Sequence, residues 1–380
     1  MTFEPLEGIR VVDFTRLLAG PYATMTLAEL GADVIKVEIP EVGDETRTWG
    51  PPFIDETSAY FHAINRGKRS VVLDLRHEDG LAAAFELIAT ADIVVENFRP
   101  GVADRLGIGP DQVLARFPHI IYGSISGFGA DGPMSEHPGT EVTVEAESGL
   151  MNVTGLEDGE PVRFGVAMVD ISTCMAMING VLAALVERHR TGRGRRIDVS
   201  LFATAISSLG TIIASASAGG GTPRPWGSSH PSIVPYRAFA AEDGYVVLGA
   251  SNDAMFQRMI TALGLTADMG RDDWRANAGR VSDRHAVEAI LQARVAELTV
   301  DDVVSRLRDH RVLVAPVRRA DDVARSEQAA ALDVIENDDG LLVARSALSA
   351  NGTRHLSRAP SLGQHTREVL DELAQQKEES

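Results

Sequence analysis

Short runs of β-branched and other apolar residues alternate, over the first 200 residues, with stretches in which apolar positions recur every three or four residues. Runs of strand length fall at 9–13, 33–37, 70–75, 93–96 and 120–126, and helical periodicity fills 21–30 and 80–91. Repeated βα units predict an open α/β domain, a parallel Rossmann-like sheet covered by helices on both faces. An amphipathic helix over 171–187 and a strand-like run at 195–199 extend this domain to about residue 200. A helix-like stretch then leads into the breaker cluster Gly219-Gly220-Gly221-Thr222-Pro223, and 201–224 is assigned to a linker. Beyond it the pattern changes. Hairpin-like runs at 236–239 and 245–248 mix with helical segments near 253–263, 283–298 and 301–309, which predicts a smaller α+β domain over 225–320. The tail carries a strand signal at 341–345 and a last amphipathic helix at 366–373.

With 380 residues the chain is long enough for two cores. A net charge of −18 repels nucleic-acid phosphate over most of the surface, so no nucleic-acid partner is expected. Lysine occurs only at Lys36, Lys68 and Lys377, so an anion site here must be built mainly from guanidinium forks. Cys174 is the single cysteine, which excludes an intramolecular disulfide. The first residues lack a basic stretch followed by an apolar one, and no run reads as long and apolar enough to span a membrane, so a cytoplasmic protein without membrane contact is expected. Scattered Asp, Glu and His show no metal-ligand spacing, and no metal is predicted.

Candidate chemistry centres on Arg163-Phe164-Gly165-Val166-Ala167-Met168-Val169-Asp170, an apolar approach into one carboxylate at the start of the predicted helix 171–187. A carboxylate at that junction is stabilised as the anion by amide N–H groups and the helix dipole while still facing a cleft. Asp is also a preferred helix N-cap, so the residues alone leave capping and nucleophilic attack both open. In the first βα turn, Asp13-Phe14-Thr15-Arg16-Leu17-Leu18-Ala19-Gly20-Pro21, the G-x-G-x-x-G fingerprint of dinucleotide enzymes is absent. Pro21 suits the first position of the following helix, and Arg16 is placed to meet an anion at the end of the sheet. Arg69, Arg76, Arg99 and Arg105 recur near strand ends and loops. Each alone is an ordinary surface charge, and as a set they suit a polyphosphate ligand.

Five segments together resemble the class III CoA-transferases over nearly the whole chain: Pro5-Leu6-Glu7-Gly8-Ile9-Arg10-Val11-Val12-Asp13-Phe14-Thr15, Leu30-Gly31-Ala32-Asp33-Val34-Ile35-Lys36-Val37-Glu38, Asn65-Arg66-Gly67-Lys68-Arg69-Ser70, Glu96-Asn97-Phe98-Arg99-Pro100-Gly101 and Thr191-Gly192-Arg193-Gly194. Segments 44–53 and 226–236 look most like the branch that uses succinyl-CoA and dicarboxylates such as hydroxymethylglutarate. The resemblance implies that Asp170 is a nucleophile carrying a transient aspartyl-CoA, and that Glu141 assists it. Coenzyme A, as substrate and carrier, would meet Arg16, Leu18, Ala19, Leu73, Leu75, Arg76, Asn97, Phe98, Arg99 and Arg105. Ser229 and His230 would lie in a loop that closes over the acceptor acid. The partners implied are an acyl-CoA, a small carboxylic acid and a second copy in an interlocked, ring-like homodimer. The large domain would be completed by about 325–380.

Departures from the family pattern narrow the reading. Thr140 stands where the related α-methylacyl-CoA racemases place a histidine, so a two-base racemase lacks one base. Pro138, Thr140 and the 228–232 loop differ from formyl-CoA transferase and disfavour a formate or oxalate substrate. The alternatives kept are an α-methylacyl-CoA racemase and a catalytically silent CoA-binding protein. Arg47 and Arg163 are candidates for the distal group of a dicarboxylate. Cys174 reads as packing, one turn beyond Asp170, with no base nearby.

Overall fold

The computed structural model describes residues 2–378, and the chain divides into two compact units. The larger comprises residues up to Leu150, Arg163–Gly221 and the segment from Ser326 onward; the smaller comprises Met151–Val162 and Thr222–Arg325.

In the larger unit, strands β1 (Arg10–Asp13), β2 (Asp33–Glu38), β3 (Lys68–Val72), β4 (Ile93–Glu96), β5 (Ile121–Ser126) and β6 (Arg196–Ser200) form one sheet in the order β3-β2-β1-β4-β5-β6, with every pairing parallel. Before residue 222 its helices longer than one turn are α1 (Ala19–Glu29), α2 (Ala59–Asn65), α3 (Glu78–Ala89), α4 (Pro110–Arg116), α5 (Glu141–Ser148), α6 (Met168–Thr191), α7 (Leu201–Ser208) and α8 (Gly210–Ser217). Strands covered on both faces must be apolar throughout, and Val11, Val12, Val34, Ile35, Val94 and Val95 are all sealed from water. Edge strand β6 instead alternates exposed Arg196 and Asp198 with half-buried Ile197 and Val199. The chain reverses its direction of build between β1 and β4. In open α/β sheets a crevice opens at such a point, beyond the carboxyl ends of the strands.

The smaller unit has a three-stranded antiparallel sheet of β7 (Tyr236–Ala240), β8 (Tyr245–Gly249) and β9 (Leu313–Pro316), ordered β9-β8-β7. Helices α9 (Asp253–Ala262), α10 (Arg284–Val295) and α11 (Val300–Asp309) pack on it around Phe239, Leu248, Phe256, Trp274, Leu291 and Leu307. The chain then returns to the larger unit through the hairpin β10 (Ile335–Asp338) and β11 (Leu341–Ala344) and ends in α12 (Thr366–Glu378). This segment covers the edge of β3: the Val72 amide donates to Thr366 Oγ1 at 3.0 Å and the Ser70 amide to His365 Nδ1 at 3.1 Å. Its edge N–H groups are thereby satisfied.

Several expectations are corrected. Residues 201–217, assigned to a linker, form α7 and α8 within the larger unit. Helix α1 begins at Ala19, so Pro21 is its third residue and not its first. Gly20 fixes this turn, because a Cβ there would sit 2.3 Å from Thr15 Cβ. By length and composition α6 is apolar enough to cross a membrane, contrary to the expectation that no run would be. In this fold it packs against α1 and buries Val169, Thr173, Cys174, Met177, Ile178 and Val181.

Candidate active site

Helix α6 begins earlier than its periodicity suggests, at Met168, with Ala167 as N-cap. Asp170 is therefore the third helical residue, and no side chain of its own helix caps the start. The cap comes from α5. Glu141 Oε1 accepts from the Val169 amide at 3.0 Å and Oε2 from the Asp170 amide at 2.7 Å. A carboxylate bridging two N–H groups at a helix N-terminus satisfies orphan donors and meets the positive end of the dipole. Asp170 is thus relieved of capping, and its own carboxylate is left for another task.

Glu141 is the first residue of α5. One turn on, Glu145 is buried; its Oε2 accepts from the Phe164 amide at 3.2 Å and its Oε1 has no hydrogen-bond partner. Three carboxyl groups thus converge where α5 meets the start of α6. The consequence falls on Asp170: burial, then the charge of Glu141 and its contact, push the Asp170 carboxyl up to about 7. Tyr60 of α2 feels the same field, its phenol being pushed up to about 12 by burial and by Asp170, Asp44 and Glu141. Its ring lies against Trp49, centroids 5.4 Å apart.

No amide of the first turn of α6 remains free for a substrate anion. Those of Val169 and Asp170 go to Glu141, Met168 donates to Val166 O and Ile171 to Ala167 O. A tetrahedral adduct could use these donors only if Glu141 moved away. Cys174, a turn beyond Asp170, is sealed from water, and burial pushes its thiol up to about 12.

Beneath the first βα turn lies a buried ion network. Lys68 Nζ lies 3.0 Å from Asp13 Oδ2 and also donates to Pro21 O and Asn65 Oδ1. Lys36 Nζ lies 2.9 Å from Asp44 Oδ2 and donates to Thr15 O. Burial alone would raise the Asp13 carboxyl; Lys68, Lys36 and the hydroxyls of Thr15 and Thr24 outweigh it and take it down to about 2. Asp44 Oδ1 accepts from the Leu17 amide at 3.4 Å, and Leu17 sits at φ +70°. The turn is held in a conformation L-residues rarely adopt.

Above it, at the carboxyl ends of β1, β2 and β3, is a cavity of about 240 Å³. Of the predicted CoA residues, Arg16, Leu73, Leu75, Arg76 and Phe98 line it, together with Phe14 and Ile39. Apolar walls with guanidinium groups at the edge fit a flat nucleobase attached to phosphates. Arg16 lies 5.7 Å from the centroid of the Phe98 ring, and Arg76 is paired with Asp74 at 2.8 Å.

The other predicted residues do not line this cavity. Asn97 clamps the turn, accepting from the Arg16 amide at 2.9 Å and donating to Arg16 O at 2.6 Å. Leu18 precedes α1 and Ala19 is buried within it. Arg99 and Arg105 are exposed and make no ion pair among the described residues. Arg47 is excluded as a substrate ligand, because its guanidinium is buried in a bidentate pair with Glu38, at 2.9 and 2.6 Å. Ser229 and His230 belong to the smaller unit, where the Ser229 amide donates to Trp226 O and His230 Nδ1 accepts from the Ser232 amide.

Sequence reasoning missed Glu145 and the paired roles of Lys36 and Lys68. The available signal for Glu145 was its spacing of four from Glu141, which places both on one helical face.

Residues 6–366 match the sequence pattern described as CoA-transferase family III. Succinyl-CoA:glutarate CoA-transferase from Mus musculus is 39% identical over 379 residues, covering 98% of this chain and 87% of that protein. Succinyl-CoA:mesaconate CoA-transferase from Haloarcula marismortui is 35% identical over 97% of this chain and 96% of that protein. A CAIB/BAIF family protein from Brucella suis, solved by crystallography, superposes with a TM-score of 0.88 at 38% identity, covering 98% of this chain and all of that one.

Proposed function

Because the chain belongs to CoA-transferase family III, we propose that it moves CoA from succinyl-CoA or a similar acyl-CoA to a small dicarboxylic acid, with Asp170 as the covalent carrier. The relatives named for glutarate and mesaconate support dicarboxylates as the substrate class. Asp170 supports the mechanism most directly: its carboxyl is raised to about 7 and is not needed as a cap. An anion destabilised by burial and by a like charge is more nucleophilic than an ordinary carboxylate, yet still substantially ionised near neutrality.

In this mechanism a carboxylate oxygen of Asp170 attacks the donor thioester carbon, and CoA leaves as thiolate from a mixed anhydride. The thiolate then attacks the Asp170 carbonyl carbon, which releases the donor acid and leaves an aspartyl-CoA thioester. The acceptor carboxylate attacks that thioester, freeing the thiolate again and forming a second anhydride. Thiolate attack on the acceptor carbonyl yields the new acyl-CoA and restores Asp170. Each step exchanges one acyl bond for another, so no ATP is consumed. The cavity lined by Leu73, Leu75 and Phe98 would take the nucleotide end, with Arg16, Arg76, Arg99 and Arg105 toward its phosphates.

The protein is also proposed to act in the cytoplasm as an interlocked homodimer; exposed apolar side chains on α6, α7 and α8, among them Met175, Ile206 and Ile213, favour cover by a second copy. Light scattering of the purified protein tests this, and a monomer at micromolar concentration would overturn it.

The decisive experiment incubates the enzyme with succinyl-CoA, traps with borohydride or hydroxylamine, and maps the adduct by peptide mass analysis. Modification at Asp170, lost in Asp170→Asn together with transfer, is expected. A labelled peptide elsewhere, or full turnover by an Asp170→Asn preparation free of deamidation, would overturn the assignment.

A further inference from the structure

Glu145 is the one member of the carboxyl cluster with no part in the chemistry above. It lies on α5 a turn beyond Glu141, and side chains four apart on a helix are neighbours that repel when both carry the same charge. Glu145 is 1% exposed. Its Oε2 accepts from the Phe164 amide, and its Oε1 meets no hydrogen-bond donor. A buried carboxylate anion with an empty oxygen is costly; a protonated one gains a donor that needs only an acceptor within reach. Glu141 is that acceptor, since its two oxygens already take the Val169 and Asp170 amides and retain further lone pairs.

We infer that Glu145 is a positioning residue: its neutral carboxyl donates to Glu141 and locks the Glu141 carboxylate across the Val169 and Asp170 amides in the first turn of the helix that presents Asp170. Burial, with the neighbouring Glu141, raises the Glu145 carboxyl above the usual carboxylate range, consistent with this protonation. The charged groups that face it are Glu141 from its own helix and Arg163 from the segment leading into α6. The chain of influence runs from the Glu145 proton to the place of Glu141, then to the backbone and field of Asp170. The catalytic part of this inference rests on Asp170 as nucleophile; the structural part does not.

The test compares Glu145→Gln, which keeps a donor, with Glu145→Met, which fills the space without one. Amide hydrogen exchange at Val169 and Asp170 in the full-length protein reads the grip of Glu141 without any turnover. Faster exchange at both amides is expected in Glu145→Met, with kcat down about 10–100-fold and KM little changed, as for a carrier misplaced by a fraction of an ångström. Glu145→Gln is expected to restore most of the protection and of the rate. Protection unchanged in Glu145→Met would overturn the inference. So would Glu145→Gln losing protection, an outcome readable even if Glu145→Met fails to fold. If the Asp170 adduct is never trapped, the exchange data still decide whether Glu145 holds Glu141.

Discussion

Glu141 holds Asp170 by the backbone while opposing the charge on its side chain: the Asp170 amide donates to Glu141 Oε2 at 2.7 Å, and the same carboxylate raises the Asp170 carboxyl. Since only the ionised form attacks, transfer should rise with pH through a single step near pH 7. A pH profile of kcat checks this. In Glu141→Gln the nearby charge is gone, so the midpoint should move below that of the wild type. A profile flat from pH 5 to 8 in the wild type would contradict the placement.

The same raised value carries a stability consequence of definite sign. The folded state prefers protonated Asp170, so the stability it confers is fully present below its ordinary value of 3.8 and is lost as pH rises through about 7. Asp170→Asn removes that loss. Discounted for partial solvent access, it should raise unfolding free energy by about 1–3 kcal/mol at pH 8 and change it little at pH 4. Urea titrations at the two pH values measure the difference.

The parallel sheet was legible because Val11, Val12, Ile35 and Val94 lie in strands covered on both faces, which forces unbroken apolar runs. The place of Asp170 at the start of a long helix was legible for a similar reason. Helix α5 was not: Glu-Val-Thr-Val-Glu-Ala-Glu-Ser buries only Val144, Glu145 and Ser148, so two of its three buried positions are polar and the stretch reads as a loop. Lys36, Lys68 and Arg47 were opaque because their burial depends on partners elsewhere in the chain; Lys68 is fifty-five residues from Asp13. A charged residue in a strand carries no local sign of such a partner.

That pairing makes a prediction of its own. Lys68 and Asp13 are both sealed from water, and Asp13 also accepts from the hydroxyls of Thr15 and Thr24. Lys68→Met leaves a buried carboxylate without its direct ion-pair partner, which should cost about 3–5 kcal/mol. The double variant Lys68→Met, Asp13→Asn should recover a substantial part of the loss. Chemical denaturation of the three proteins tests this, and strictly additive losses would show that the pair is not coupled.

Cys174 should resist alkylation in the native protein at pH 8, because its thiol is both buried and pushed up to about 12. Iodoacetamide labelling followed by intact mass should add one carbamidomethyl group only after denaturation. Rapid native labelling would place the thiol in an open pocket beside Asp170.

Phe98 closes one wall of the cavity at the carboxyl ends of the strands and lies beside the Arg16 guanidinium, 5.7 Å from its ring centroid. Because the cavity is remote from the reacting carbons in the proposed mechanism, its contacts serve the ground state and the transition state alike. Phe98→Ala should therefore raise KM for the acyl-CoA about tenfold and leave kcat nearly unchanged. The acceptor acid does not carry the nucleotide, so its KM should not move. Steady-state kinetics with each substrate varied in turn separates the two. A rise in the acceptor KM alone would assign this cavity to the acid and require the CoA residues to be sought elsewhere on the larger unit.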